Sequence, residues 1–177
     1  TSTYETLVNP DCPVPRVITS LTGITQHMID PAPRFPEVCE RISEELAGRV
    51  FVGHNVGFDW RFVASEIERS SSRALTGPRV CTLRMARRLL PHLRSRSLGS
   101  LAEYFGIGMD RHHRALDDAV ATAHLLLRFL DMLEEREITE WLQLQEFFRA
   151  RPPRKRRRRR ARRRCARGTA PLPPRSR

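Results

Sequence analysis

The chain has 177 residues, 40% of them hydrophobic, which is enough apolar material for one packed domain and a tail. Its formal net charge is +12, but 14 of its 32 basic residues lie in residues 151–177, and without them 18 basic residues face 20 acidic ones. The four cysteines form no Cys-x-x-Cys pair and no apolar run approaches the ~18 residues of a membrane span, which argues against a disulfide framework, a zinc site or a membrane protein and indicates a reducing, cytoplasmic setting.

The first part of the chain is predicted to hold a strand, a loop and a helix. Tyr4–Val8 is rich in strand-forming residues and stops before an Asn-Pro pair. Thr19–Asp30 is expected to contain a loop with apolar and hydroxyl side chains. Pro36–Ala47 repeats apolar residues at helical spacing and is followed by Gly48, which predicts an amphipathic helix.

The middle of the chain alternates strands with helices. Val50–Gly53 is predicted to be a short buried strand, and Gly57–Arg69 the helix that follows it. Val80–Met85 then leads into a short basic helix that ends before Pro91. Because strands alternate with helices, the sequence predicts an α/β fold in which helices pack on a sheet.

The last part of the predicted domain is helical. Ser97 is placed to cap a short helix, and Ala115–Glu135 is the longest helix, with apolar residues on nearly every side. Thr139 is expected to cap a last helix. The composition then changes abruptly, so the domain is placed at residues 1–150, and residues 151–177 are expected to be an Arg/Pro-rich disordered tail or linker.

Two acid-bearing motifs carry the chemistry that the sequence offers. In the first, His54–Asp59 (HNVGFD), a buried strand runs into a helix that carries Asp59. In the second, His113–Asp118 (HRALDD), a loop histidine precedes a carboxylate in the first turn of the long helix. Two carboxylates and an imidazole suit the binding of a divalent cation and the deprotonation of a water. Each motif alone also fits an ordinary helix start.

In this order and spacing, the two motifs resemble the DEDDh class of 3′–5′ exonucleases, the DnaQ-like relatives of the proofreading epsilon subunit of bacterial DNA polymerase III. Tyr4–Pro10, Ile18–Thr25 and Cys81–Arg87 match as well, so the resemblance covers roughly Thr3–Leu130. It implies a ribonuclease H-like α/β fold, with a mixed sheet flanked by helices. It also implies hydrolysis of phosphodiester bonds at nucleic-acid 3′ ends, with DNA favoured.

The resemblance also implies roles for individual residues. Asp59 and Asp118 correspond to ligands of Mg²⁺ or Mn²⁺, of which the intact family binds two ions, and His113 corresponds to the general base that activates the attacking water. His112 and Asp117 stand one position away from the pattern and are expected to take no part. The residues expected to touch the 3′-terminal nucleotide are Asn55, Phe58, Thr22, Gly23 and Ile24. Thr22 and Ile24 would serve equally well as loop-packing residues.

The family's first motif, Asp-x-Glu on a central strand, has no counterpart in this sequence. Thr3–Thr6 (TYET) puts Thr3 where the aspartate is required, and Glu5 is expected to be an ordinary strand residue. Two carboxylates neutralise half the charge of two divalent cations, so the chain as given is expected to be inactive. Missing strands would also leave sheet edges unpaired, which favours aggregation. The chain is therefore interpreted as an N-terminally truncated piece of a catalytic parent, with its true start upstream.

The partners expected from the sequence are nucleic acids, in particular single-stranded 3′ ends. The basic tail is suited to contact with the phosphate backbone, although a linker with no ligand explains it equally well. Pro171–Pro174 suggests a linker into a fused carboxyl-terminal domain, and a polymerase is a further expected partner. No membrane partner is expected.

Two alternative functions stay open at this stage. An exoribonuclease of the same superfamily differs only in contacts to the 2′ position of the sugar, which the sequence does not reveal. A non-catalytic nucleic-acid-binding module would use the tail and a degenerate nuclease scaffold. A purely structural basic protein leaves both motifs unexplained.

Overall fold

The computed structural model describes residues 3–108 and 115–150. Its elements in chain order are α1 Arg16–Thr22, α2 Gln26–Ile29, α3 Phe35–Leu46, β1 Phe51–Gly53, α4 Gly57–Ser71, β2 Arg79–Cys81, α5 Thr82–Leu89, α6 Leu98–Phe105, α7 Ala115–Glu134 and α8 Trp141–Arg149. None of the helices in these two ranges has the length and hydropathy needed to cross a bilayer.

The sheet of the described residues has two parallel strands, β1 and β2, in which Phe51 pairs with Arg79 and Gly53 with Cys81. Parallel strands need a crossover connection, and α4 provides it. These residues form an α/β arrangement, but the sheet is parallel rather than the mixed sheet that the sequence predicted. No antiparallel strand is found among the described residues.

The prediction of a strand over Tyr4–Val8 is wrong for the described residues. The pairing found there is an isolated parallel bridge between Asn9 and Arg34, next to a 2.9 Å hydrogen bond from the Asn9 N–H to the Pro33 carbonyl. A strand forms only where a neighbouring backbone accepts its hydrogen bonds, and no such neighbour lies beside this segment in the described ranges. Tyr4 instead packs under Arg41, whose guanidinium carbon lies 4.4 Å from the ring centroid.

The predicted loop over Thr19–Asp30 contains most of α1 and all of α2. Gly23 ends α1 in the left-handed region, at φ +73°, and its N–H donates to the Thr19 carbonyl at 2.8 Å. A glycine in this conformation is a common helix terminator. The helix signal was therefore present in the sequence, but short helices carry too few residues for a clear apolar period.

Most of the other predicted elements agree with the structure to within about two residues, but β2 ends at Cys81 and α5 already begins at Thr82, inside the Val80–Met85 segment that was expected to precede the basic helix. The Ser97 cap is confirmed, since the Ser97 hydroxyl accepts a hydrogen bond from the Ser100 N–H at 3.3 Å. Thr139 does not cap α8. The Gln143 side chain instead accepts from the N–H groups of Thr139 and Glu140, at 2.8 and 2.9 Å.

The hydrophobic core lies between α5, α6 and α7. Phe129 of α7 is fully buried and meets Phe105 edge-to-face, with ring centroids 5.9 Å apart. The buried residues Leu125, Phe129 and Leu133 recur every four positions, so one stripe of α7 faces the core. Residues on its other side, such as Leu127 at 57% exposure, stay open to solvent in the described ranges. The start of α7 also contacts β1, and this contact brings its first turn to the end of the strand.

Candidate active site

A cavity of about 960 Å³ lies at the carboxyl end of β1, between the end of α1, the start of α6 and the start of α7. Two carboxylates line it, those of Asp59 and Asp118. Among the described residues of its wall there is no lysine or arginine. Two carboxylates on a wall without lysine or arginine suit a cation rather than an anion. This space is called the acidic cavity below.

Asp59 reaches the acidic cavity because the chain turns sharply after β1. Asn55 adopts the left-handed conformation, at φ +72°, which asparagine tolerates better than most residues. Helix α4 then begins at Gly57 and carries Asp59 in its first turn. A side chain at Gly53 would put its Cβ 3.4 Å from Asp59 Oδ2 and 3.2 Å from the Val56 Cα. Glycine at the end of β1 therefore lets the carboxylate lie against the strand.

The environment of Asp59 favours a neutral or cation-bound carboxyl group. Partial burial raises the pKa of Asp59, while a hydrogen bond from its own backbone N–H and the nearby His54 lower it. The raising effect wins because the carboxylate loses hydration that its protein neighbours only partly replace. A bound divalent cation would supply that missing interaction.

The carboxylate of Asp118 comes from a different helix than that of Asp59. It lies in the first turn of α7, where the helix amino terminus stabilises a carboxylate by about 0.3–1 kcal/mol. Both Asp59 and Asp118 raise the pKa of His54 electrostatically, so both carboxylates lie within reach of one imidazole. Asp117, the neighbouring acid, is absent from the described wall of the acidic cavity. The fold thus brings together the one acid from each motif that the family pattern selects.

His54 is a residue of this site to which the sequence reasoning gave no role. Its Nδ1 lies 3.0 Å from Thr82 Oγ1, and its Nε2 lies 3.0 Å from the Arg96 carbonyl oxygen. A carbonyl can only accept, so Nε2–H donates to Arg96, and Nδ1 of the neutral ring accepts the Thr82 hydroxyl proton. The signal was its place at the head of the HNVGFD motif, directly after a buried strand.

The pKa of His54 is lowered. Burial is the main cause and Arg87 adds to it, while the hydrogen bond to Arg96 and the charges of Asp118 and Asp59 act in the opposite direction. A neutral ring keeps both hydrogen bonds. We therefore interpret His54 as a residue that links three segments of the chain and not as a charged group. Those segments are the end of β1, the start of α5 and the loop before α6.

Of the predicted nucleotide-contacting residues, the structure brings Thr22 to the acidic cavity. The Thr22 hydroxyl also donates to the Ile18 carbonyl at 2.8 Å and accepts from the Ile24 N–H at 3.2 Å, so it also orders its own loop. Gly23 and Ile24 follow it but are not part of the described wall. Asn55 and Phe58 are not part of that wall either, and Phe58 is 66% exposed on the outer side of α4.

His113 and His112 lie outside the described residues. Ala115, two positions after His113, lines the acidic cavity. Within the two described ranges, no group of three or more histidine, cysteine, aspartate or glutamate side chains is arranged to hold a metal ion. Asp59 and Asp118 are hard oxygen donors and suit part of the coordination shell of Mg²⁺ or Mn²⁺.

Compared with known proteins, the chain matches the RNase T family of exonucleases over residues 1–126. It is 38% identical over 133 residues to the PolC-type DNA polymerase III of Caldanaerobacter subterraneus subsp. tengcongensis, a match that covers 75% of this chain and 9% of that protein. The PolC-type enzyme of Thermotoga maritima is 38% identical over 143 residues, which cover 81% of this chain and 10% of that enzyme. The chain spans about a tenth of the length of these relatives.

One solved structure supports the same relationship. Exonuclease X in complex with 5′ overhanging duplex DNA superposes with a TM-score of 0.58 at 26% identity, over 80% of this chain and 78% of that one. Its fold agrees with the ribonuclease H-like arrangement that the motifs implied. The resemblance to DnaQ-like exonucleases is confirmed, and the chain belongs to the RNase T family of exonucleases.

Proposed function

We propose that this chain is the 3′–5′ exonuclease domain of a DEDDh nuclease that removes nucleotides from DNA 3′ ends. The observation that carries the proposal is that Asp59 and Asp118 both line one cavity whose described wall holds no lysine or arginine. They come from distant parts of the chain and from different elements, so their convergence has no other evident structural use. Residues 1–150 would form this domain, and residues 151–177 would form its tail.

The proposed metal ions are Mg²⁺ or Mn²⁺, held by Asp59 and Asp118 together with carboxylates that this sequence does not contain. Bound there, they would supply electrostatic stabilisation of the phosphate and a more acidic water. His113 would act as the general base, and such a base contributes about 10²–10⁴-fold in rate. His54 would hold the end of β1 in place and thereby fix the position of Asp59.

The proposed substrate is a single-stranded DNA 3′ end. Thr22 would contact the terminal nucleotide from within the acidic cavity, with Gly23 and Ile24 shaping its loop. Asn55 and Phe58 would contact the nucleotide from outside the described wall of the cavity, and the exposed ring of Phe58, on the helix that carries Asp59, offers a stacking surface. DNA is favoured because Exonuclease X, a structural relative, is described in complex with DNA. An exoribonuclease is the alternative within the family, and matched DNA and RNA oligonucleotides would separate the two.

The chain by itself is proposed to be inactive, because it offers two of the four carboxylates that the family uses. The second candidate is a non-catalytic nucleic-acid-binding module on a nuclease scaffold, and a coding sequence upstream of Thr1 that lacks Asp-x-Glu would favour it. We further propose a polymerase or a fused carboxyl-terminal domain as partner, because the relatives are PolC-type polymerases, and phosphate contact by the tail. A cytoplasmic setting fits Cys12, Cys39 and Cys81, which form no disulfide in the described ranges.

A graft tests the proposal. A strand segment that carries the Asp-x-Glu motif, taken from a catalytically active DEDDh exonuclease, is fused ahead of Thr1. The fusion should shorten 5′-labelled single-stranded DNA from its 3′ end in Mg²⁺, whereas the chain without the graft should not. Asp118→Asn should lower the rate by at least about 10²-fold, and the matched control Asp117→Asn should leave it nearly unchanged.

Two results would count against the exonuclease proposal. One is a grafted protein that folds and binds the oligonucleotide but releases no nucleotides, which would favour the binding module. The other is equal loss of activity in Asp117→Asn and Asp118→Asn. Activity in the ungrafted chain that disappears in Asp118→Asn would contradict only the proposed inactivity.

A further inference from the structure

A second groove, of about 430 Å³, lies near the amino end of β2, away from the acidic cavity at the carboxyl ends of the strands. It runs between the start of β2, helix α5 and helix α8. Three arginines, Arg79, Arg84 and Arg149, line it together with Trp141. Its described wall contains no carboxylate. These four residues define the arginine groove.

The positive charge of the arginine groove is not neutralised by the described part of the chain. The ion pairs found there involve other arginines, for example Arg49 with Glu45 and Arg73 with Glu40. None of the three groove arginines has a carboxylate oxygen within ion-pair distance among the described residues. Each guanidinium carries five N–H donors, so most of the donors remain available to an anion.

Two of the groove arginines are held in place by aromatic rings. The Arg79 guanidinium carbon lies 4.7 Å from the ring centroid of Trp60, and that of Arg84 lies 4.6 Å from the ring centroid of Phe148. Arg84 also donates to the Phe148 carbonyl at 2.9 Å. Guanidinium groups that are already fixed lose less side-chain entropy when they bind a phosphate.

The aromatic ring that lines the arginine groove is also partly exposed to solvent. Trp141, the first residue of α8, is 39% exposed although it is the kind of residue that usually buries its ring. A positively charged groove that also presents an aromatic ring is the arrangement by which proteins bind single-stranded nucleic acids. The arginines follow the phosphates and a base stacks on the ring.

The arginine groove is connected to both the acidic cavity and the tail. Trp60 follows Asp59 in α4 and packs edge-to-face on Phe51, which lines the acidic cavity, with ring centroids 5.4 Å apart. At ~3.3 Å per strand residue, the amino and carboxyl ends of this sheet are separated by about 7 Å, roughly two stacked nucleotides at about 3.4 Å each. At the other side, Arg149 is the last residue of α8 and directly precedes the basic tail.

We propose that the arginine groove is a second binding site for single-stranded nucleic acid. Arg79, Arg84 and Arg149 hold phosphates, and Trp141 stacks on one base. The site retains the strand whose 3′ end occupies the acidic cavity, and this last statement rests on the proposed function. Binding in the groove itself requires neither the metal ions nor the missing carboxylates.

The test uses the full chain in EDTA, so that metal binding plays no part. Trp60→Phe leaves Trp141 as the single tryptophan, and its fluorescence should be quenched on titration with a short oligothymidylate. Trp141→Ala should weaken binding of that strand by about 5–100-fold, the usual effect of losing one stacked base. Arg149→Gln, at an exposed position, should weaken binding as well and lower its salt dependence.

The controls use the same helix and the same strand. Leu142→Ala changes an exposed neighbour of Trp141, 71% accessible and outside the groove wall, and should leave binding unchanged. An abasic strand of equal length should bind Trp141→Ala and the parent chain equally, because it has nothing to stack. The tail is present in every variant and contributes equally to each.

The inference is overturned if Trp141 fluorescence does not respond to the oligonucleotide. It is equally overturned if Trp141→Ala and Arg149→Gln bind as tightly as Leu142→Ala, which would leave the tail as the only source of binding. Neither outcome touches the exonuclease proposal, which depends on Asp59 and Asp118 and is read out by cleavage in Mg²⁺.

Discussion

His54 shows how one side chain can set the geometry of a site without carrying out its chemistry. Its two ring nitrogens bond to Thr82 and Arg96, which lie 28 and 42 positions away in the chain. Thr82 is fully buried, so this contact is shielded from competing water. Loss of the imidazole would free the end of β1 and, with it, the start of α4 that carries Asp59.

The lowered pKa of His54 predicts a pH dependence of stability. Because the folded protein holds the ring neutral more strongly than the unfolded chain does, its contribution is present above the unfolded pKa of about 6.5. It is lost as the pH falls below that value toward the folded pKa. The free energy of unfolding should therefore drop as the pH falls below about 6.5, and His54→Gln should reduce this drop.

Urea unfolding followed by circular dichroism at several pH values measures the effect. His27→Gln, which changes an exposed histidine, is the matched control and should keep the pH dependence of the parent. An equal pH dependence in His54→Gln and the parent would contradict the assignment of a neutral, doubly bonded ring.

The buried part of the Asp59 carboxylate is predicted to lower the stability of the folded protein at neutral pH. Burial raises its pKa, so the folded state favours the protonated carboxyl, and this contribution is lost as the pH rises above 3.8 through the folded pKa. Because Asp59 is also exposed to solvent and water screens this penalty, Asp59→Asn should raise the melting temperature at pH 7 only slightly, by about 1 °C or less. It should give no gain at about pH 3.5.

Thermal melts at the two pH values check this prediction. Asp117→Asn, in the first turn of α7 but outside the described wall of the acidic cavity, is the control and should not raise the melting temperature at pH 7. A lower melting temperature for Asp59→Asn, equal to that of the control, would show that burial does not penalise the Asp59 carboxylate.

At the scale of elements, α6 forms one wall of the acidic cavity, and its start depends on a serine cap. The Ser97 hydroxyl accepts from the Ser100 N–H, and Ser97 and Leu98 both line the cavity. Ser97→Ala should reduce the free energy of unfolding by about 1 kcal/mol. Ser95→Ala removes a neighbouring hydroxyl that bonds to Ser100 Oγ, and it should cost clearly less in the same urea titration. Equal costs would contradict the capping role.

One face of helix α7 is buried in the core and holds in place the helix that carries Asp118. This packing gives a prediction about stability. Phe129→Ala should reduce the free energy of unfolding by about 3–5 kcal/mol, because it removes a fully buried ring. Leu127→Ala, two residues earlier on the exposed side, should stay within about 0.5 kcal/mol. Chemical denaturation measures both, and similar values for the two variants would contradict the orientation of the helix.

The longer elements could be predicted from sequence because their signals are local. The apolar spacing of α3 and the serine before α6 indicated those helices to within a residue or two. Tyr4–Val8 was misread because strand propensity does not create the neighbouring strand that must accept its hydrogen bonds. Helix α1 was missed because seven residues are too few for an apolar period to stand out.

The residues of the candidate site also differ in whether the sequence could predict them. Asp59 and Asp118 were selected by a motif with fixed spacing, and the structure brings both to one cavity. The exposure of Phe58 and its place outside the described wall of the cavity were not visible in the sequence. The role of His54 rests on contacts with residues far along the chain, which no local pattern reveals.

At the scale of the whole molecule, charge is separated into two regions of opposite sign. The described wall of the acidic cavity holds two carboxylates, that of the arginine groove holds three guanidinium groups, and Trp60 and Phe51 lie between them. A nuclease has to bind cations and a polyanion close together without letting them neutralise its own side chains. In the function proposed above, this separation would serve both kinds of ligand on one small sheet.

The most direct measurement is Mn²⁺-induced broadening of backbone amide signals in NMR spectra of the isotopically labelled chain. Small additions of Mn²⁺ should first broaden the amides of Gly53, Asp59 and Asp118, and Asp118→Asn should abolish this preference while Asp117→Asn preserves it. Broadening that centres elsewhere, or that is the same in both variants, would show that the two aspartates do not share a cation site.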